Sequence, residues 1–275
     1  MNKQRTEHLR YGSPSAIPEV ESRKTIDTLL SHQSCRAFSD QPIDDEVKQL
    51  LFAAAQSAPS KSNLQQFSFI DVNCSSIRAE LIQLFPSIRW ALEAPVLIFI
   101  IGDTHRTQEI NRVRNHTFRW EQTDAFLNAT VDASLALAFM IAAAESISIG
   151  TCPVSKVRES SEAIAKLLKL PIGAFPICAC AFGYPQNEAQ PISPRLPQSV
   201  IVHRDHYQPV NFSEIDRYDQ TYNRIAGPPK ARYPEKFGEP NQSTWSDNVA
   251  RQTAVLERPD FRDMCESQGL FRKQS

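Results

Sequence analysis

Between residues 44 and 58 apolar side chains return at helical spacing. Val47, Leu50, Leu51, Ala54, Ala55 and Ala58 fall on one face. Asp44, Asp45 and Glu46 stand ahead of them, where carboxylates meet the positive end of the helix dipole. Pro59 lacks the amide that a continuing helix needs, so the helix is predicted to stop there. The pattern then changes period. "FSFIDV", 67–72, reads as a strand. "PVLIFIIG", 95–102, is apolar without a break, which predicts a strand covered on both faces.

Residues 104–122 carry several Arg and His and show no apolar face, so they are expected to be exposed. "TDAFLNATVDASLALAFMIAAAESISIG", 123–150, predicts a long helix ending near Gly150. Its second half is apolar nearly all round, which predicts burial on all sides, at the centre of the fold or in a subunit interface. A shorter amphipathic helix at 160–171 is stopped by Pro171, and "FPICACAFGYP", 175–185, reads as a strand and turn. Beyond residue 186 proline and charge dominate. Helices are predicted at 213–226, where "SEID" has the form of a capping box, and at 244–258. Between them Gly227–Ser243 is a Pro/Gly-rich loop, of a length often seen in lids. The order mixes helices and strands, with helices in excess and no internal repeat.

Composition narrows the choices. A chain of 275 residues, 41% hydrophobic, can build one large or two small domains. With a net charge of -1 and no basic run, neither nucleic acid nor a membrane surface is an expected partner. Residues 1–22 read as a flexible polar arm with no apolar core for a signal peptide. The longest uncharged apolar run, 133–144, is shorter than the ~20 residues needed to span a bilayer. Six cysteines show no metal-ligand spacing and are expected to be buried free thiols in a reducing cytoplasm. Cys178 and Cys180, two apart, would share one strand face.

Polar donors concentrate in four places: His32, Gln33, Ser34 and Arg36; Ser60, Lys61, Ser62, Asn63 and Gln65; the segment 149–158; and Arg195. Each alone reads as a solvated loop. No P-loop, G-x-G-x-x-G, H-E-x-x-H, G-x-S-x-G or paired C-x-x-C occurs. With eight glycines, a glycine-rich phosphate cradle is not expected, so a phosphate would be held by side chains such as Arg36 and Arg195.

Taken together the segments resemble the nitroreductase family. "SHQSCRAFSDQPI" is similar to its first motif, "AAAQSAPSKSNLQQFSFI" to its second, and "GTCPVSKVRESSEAIAKLLKLP" with "PICACAFGYP" to its third and fourth. "PRLPQSVIVHRDHYQP" and "TWSDNVARQ" resemble the NADPH-preferring, oxygen-insensitive nitroreductase and flavin reductase subgroup, and the likeness runs over about 25–270. The resemblance implies an α+β fold with a central, mostly antiparallel sheet flanked by helices in a domain-sharing homodimer. It implies an FMN-binding core over 23–210 and a C-terminal helical extension over 211–275 that holds the basic Pro/Gly loop.

By the same resemblance His32, Gln33, Ser34 and Arg36 approach the FMN phosphate and ribityl chain. Ser60, Ser62 and Asn63 contact ring and ribityl from the other subunit, and Gln65, which matches the final Gln of the second motif, is a further cofactor-binding residue. Pro153, Val154 and Ser155 face the ring with their backbone, and Arg195 is a second phosphate contact. The chain departs from the pattern at Gln33, where Arg is usual, at Ser155 and Lys156, where glycines are common, and at Ser193, where Lys is usual. Lys156 or Lys61 is placed to compensate. No catalytic acid, base or metal is expected. The implied activity is ping-pong hydride transfer from NADPH through FMN to nitro compounds, quinones or free flavin, in the cytoplasm, with Lys230 and Arg232 meeting the NADPH 2'-phosphate. The alternative is a flavin-binding regulatory protein without turnover.

Overall fold

The computed structural model describes residues 24–119, 122–186 and 192–271; the expected arm at 1–22 lies outside them. Four strands occur among them: β1 (Phe67–Asp71), β2 (Val96–Asp103), β3 (Gly150–Val154) and β4 (Ala174–Gly183). The α-helices are α1 (Lys24–Leu30), α2 (Asp45–Gln56), α3 (Ser75–Leu84), α4 (Arg89–Leu92), α5 (His105–Val113), α6 (Gln122–Ser146), α7 (Ser161–Leu167), α8 (Gln198–Ile201), α9 (Phe212–Ala226), α10 (Pro234–Phe237), α11 (Trp245–Thr253) and α12 (Phe261–Ser267). They group into two compact units interleaved in sequence. Residues 34–186 with 257–271 form one, and 24–33 with 192–256 the other. The grouping therefore differs from a division at residue 210.

The larger unit is built on an antiparallel sheet of order β1-β2-β4-β3. All eight residues of β2 are buried. Alternation sends its side chains to two layers. Val96, Ile98 and Ile100 pack with Ala133, Ala136, Met140 and Ala144 of α6. Leu97, Phe99 and Ile101 pack with Leu81, Phe85, Leu92 and Ile164. The uninterrupted apolar run thus has the two-sided cover expected of it. Cys178 and Cys180 both enter the α6-facing layer, as their spacing requires. Of the six free cysteines, Cys74 is exposed, and the other five are buried as expected.

Two elements depart from their patterns. Leu50 is exposed, so the buried seam of α2 narrows to Leu51 and Ala55, with Val47 and Ala54 at its margin. On α6 the alanine face lies on the sheet, while Leu127, Val131 and Phe139 on the other side are 56%, 46% and 42% exposed. Within one chain α6 is therefore not covered all round. Thr123–Ser146 is also long and apolar enough to cross a membrane by length and composition, yet one face of it packs against β1 and β2.

In the smaller unit, α9 spans Phe212–Ala226, one residue longer at its start than its sequence suggested. Asn211 caps it, its side chain accepting from the Ser213 amide. Thr244 caps α11 in the same manner. The stretch Gly227–Ser243 is more ordered than a lid-like loop. It contains α10, and Asn248 of α11 holds its backbone, donating to Lys230 O at 2.9 Å and accepting from the Arg232 amide at 2.8 Å. Arg251 adds a bond to Gly238 O at 2.7 Å.

Candidate functional site

The second donor cluster forms the turn that leads into β1. Ser62, Asn63 and Gln65 have φ of 50°, 57° and 53°, the left-handed region that side chains disfavour. Three such residues within four positions cost on the order of 1 kcal/mol or more each. What holds them is a buried carboxylate. Asp132 of α6 is 1% exposed and accepts from Ser60 Oγ at 2.8 Å, Lys61 N at 2.9 Å and Gln66 N at 3.1 Å. Ser60 Oγ in turn accepts from the Gln65 amide at 2.6 Å. Bonds to an ionised group are worth about 1.5–3 kcal/mol each, so three of them offset strain of that size.

Arg106 of α5 fixes the far end of the turn. It donates to Gln65 O at 2.7 Å and to Phe67 O at 3.1 Å, and pairs with Asp103 at 3.0 Å. The result is a rigid turn whose Ser62, Asn63 and Gln65 side chains are exposed. Asn63 and Gln65 border a cavity of about 1070 Å³ walled by Phe52, Phe69, Arg106 and Arg119. Ser60 differs from its neighbours. Its single hydroxyl hydrogen goes to Asp132, which makes it an anchor of the turn rather than a donor to a ligand.

Ser34–Arg36 of the first cluster and the third cluster meet at the opposite edge of the sheet. Ser34 bridges Thr151 of β3, and the Cys35 amide donates to Thr151 O at 2.8 Å. This close approach needs Gly150, where a Cβ would lie 2.7 Å from Cys35 Cβ. Arg36 is exposed and makes no ion pair among the described residues. Pro153 is exposed at the end of β3, and Val154 is buried, so only its backbone is offered. Ser155 Oγ accepts from Arg258 Nη2 at 3.2 Å, a partner 103 positions away that no local pattern announces. Lys156 pairs with Glu159 at 2.6 Å, so its charge is already answered and it is a poor substitute for a missing phosphate cation. Burial pushes the Cys35 and Cys152 thiols up against the pull of the Arg36 charge, which leaves them neutral and unsuited to nucleophilic chemistry.

These two groups do not meet within one chain. β1 and β3 are the two edges of the sheet, about 14 Å apart at ~4.8 Å per strand. Along β4 the turn lies level with Phe175 and Ser34 level with Phe182, a further ~23 Å at ~3.3 Å per residue. In the smaller unit, His32 and Gln33 follow α1 and are half-buried, and Gln33 Oε1 is buried without a hydrogen-bond partner among the described residues. Arg195 is exposed and donates to Ser193 O at 3.2 Å and Pro194 O at 3.3 Å. Lys230 and Arg232 are exposed on their tethered segment.

Two family models cover most of the chain. The one described as "Nitroreductase family" matches residues 29–89 and 83–184, and "Nitroreductase family, C-terminal domain" matches 193–273. Among similar proteins, the FMN reductase [NAD(P)H] of Bacillus subtilis (strain 168) is 31% identical over 90% of this chain and 98% of its own length. The oxygen-insensitive NADPH nitroreductase of Salmonella typhimurium is 27% identical over 89% of this chain and 97% of its own. A solved structure of the NADPH:FMN oxidoreductase from Vibrio harveyi complexed with NAD+ superposes with a TM-score of 0.80, at 30% identity over 91% of this chain and all of that one.

Proposed function

The chain belongs to the nitroreductase family, and on that premise we propose that it is an FMN-dependent oxidoreductase that draws electrons from NADPH and passes them to nitro compounds, quinones or free flavin. When bound, FMN supplies the redox chemistry, taking a hydride from the nucleotide and delivering electrons to the second substrate. The residues present fit that group. An exposed guanidinium without an ion pair among the described residues, Arg36, suits a phosphate, and the turn with Ser62, Asn63 and Gln65 suits the polar edge of a flat ring. Pro153, Val154 and Ser155 offer backbone, and Arg195 a second cation. The protein's part is to bind, orient and shield, so no side chain is assigned as an acid or base.

The observation that carries this reading is the distance between the two donor sets. Their separation within one chain supports a site shared between two copies, each bringing the set the other lacks. The exposed apolar side of α6 supports the same homodimer, since Leu127, Val131 and Phe139 would be covered in it. Free buried thiols suit a cytoplasmic setting. The regulatory alternative gains no support, because the relatives are reductases by name.

Purified protein is expected to be yellow, to release FMN on denaturation, and to oxidise NADPH in the presence of nitrofurazone, a quinone or free FMN. A colourless protein that also fails to take up added FMN would refute the proposal.

Nucleotide choice has its own test. Lys230 and Arg232 present two cations on a backbone that Asn248 holds still. Two cations meeting a dianion support a preference for NADPH of about tenfold, at ~1.4 kcal/mol per decade. Replacing both by Ala should raise the KM for NADPH by about that factor and leave the KM for NADH unchanged. Equal effects on both nucleotides would place the 2'-phosphate elsewhere.

A further inference from the structure

We infer that Asp132 is a positioning residue for the flavin site: its buried carboxylate sets the left-handed turn 60–66 in its working shape before any ligand binds. The inference rests on the FMN reading above and adds a residue to it that no motif contains.

The geometry supports this in three ways. First, the bonds of Asp132 bracket the turn. Lys61 N is bound just before the left-handed residues and Gln66 N just after them, while Ser60 Oγ links the same carboxylate to the Gln65 amide. A carboxylate at this point fixes both ends of the strained segment at once. Second, the carboxylate has no ion pair among the described residues, and its described partners all belong to the turn. A buried charge is stabilised by such donors or not at all, so turn and carboxylate hold each other in place. Third, Asp132 sits on α6 beside Ala129, Ala133 and Ala136, all fully buried, the last two in the layer that packs on the sheet and Ala129 against Phe175. The anchor is thus part of a helix packed into the core, and the turn takes its position from that helix.

Asparagine at this site keeps the shape and one acceptor oxygen but turns an NH2 toward a donor. The test is equilibrium dialysis of the full-length protein against graded FMN, with the visible circular dichroism of bound flavin recorded alongside. For Asp132→Asn we expect the FMN Kd to rise at least tenfold and the flavin dichroism to change, in protein that retains its far-ultraviolet spectrum. A merely structural role would lower the melting temperature and leave both flavin readouts at their parental values, and that result overturns the inference. If Asp132→Asn does not fold, amide hydrogen exchange on the FMN-free parent decides. Protection of the Lys61 and Gln66 amides comparable to β2 supports a preset turn, and exchange as fast as at an exposed loop overturns it. A parent that binds no FMN would overturn the functional reading itself, and this inference with it; a parent that binds FMN as tightly as Asp132→Asn overturns the inference alone.

Discussion

Glutamate at both Val131 and Phe139 is expected to leave the chain monomeric and stripped of FMN. Both positions lie on the uncovered side of α6, 46% and 42% exposed, while the face that builds the core is the alanine side. The substitutions therefore spare the sheet packing. In a twofold dimer each change is met twice, once from each copy. Burying a large apolar side chain is worth about 1.5–3 kcal/mol, and a carboxylate forced into the same place costs several more. Four such sites exceed what an ordinary interface can spare. The turn 60–66 and the Ser34–Arg36 segment stand at opposite edges of one sheet, so on the proposed shared site a monomer would keep only half of the flavin contacts. Light scattering should give about twice 31.0 kDa for the parent and 31.0 kDa for the double variant, which should lose its yellow colour on gel filtration. A double variant that stays dimeric with FMN bound would show that α6 is not the interface.

Much of this fold can be read from the chain because its patterns are strong. β2 needed only its unbroken apolar run, and α6 its length. β3 shows no strand pattern because "GTCPV" contains both Gly and Pro, which weaken a strand signal. Its edge position explains why they are tolerated. The edge leaves room for an unpaired proline, and Gly150 admits Cys35. Helix α5 lacks a helical pattern for a different reason. It buries none of its residues and is held instead by Arg106, whose guanidinium donates to Gln65 O at 2.7 Å and Phe67 O at 3.1 Å. Tertiary polar contacts of that kind leave no periodicity.

The site divides along the same line. Its exposed donors announce themselves, since Ser62, Asn63, Gln65 and Arg36 crowd short polar stretches. The groups that hold them do not. Asp132 bonds residues 66 to 72 positions earlier, and Arg258 bonds Ser155 across 103. The one local hint was a lone acid inside the apolar run of α6, at a spacing that turns it toward the core. Sequence shows where a ligand could be touched; the choice of which residues touch and which brace needs the folded chain, as Ser60 illustrates.

Arg36 should be the most sensitive single position for FMN affinity. Its backbone is fixed to β3 through the neighbouring Cys35 amide, so the cation is held at the sheet edge without a ligand. No carboxylate pairs with it among the described residues, so an anion would meet a charge that none of them has quenched. The other cations available are fewer than the family pattern provides. Gln33 is neutral, Ser193 is neutral, and Lys156 is paired with Glu159. Arg195 already donates to two carbonyls of its own segment and must give these up to turn to a phosphate. Charge-assisted bonds to phosphate are worth about 1.5–3 kcal/mol, and Arg36 should lie at the upper end. Arg36→Ala is then expected to raise the FMN Kd by about a hundredfold, at ~1.4 kcal/mol per decade, with Arg195→Ala costing less. Arg36→Lys should recover part of the loss, since a point charge replaces the charge but not the two-pronged geometry. Titration of the flavin-free protein with FMN, followed by fluorescence quenching at low and moderate salt, would measure all three. An Arg36→Ala affinity within twofold of the parent would mean that the phosphate is held somewhere else on the chain.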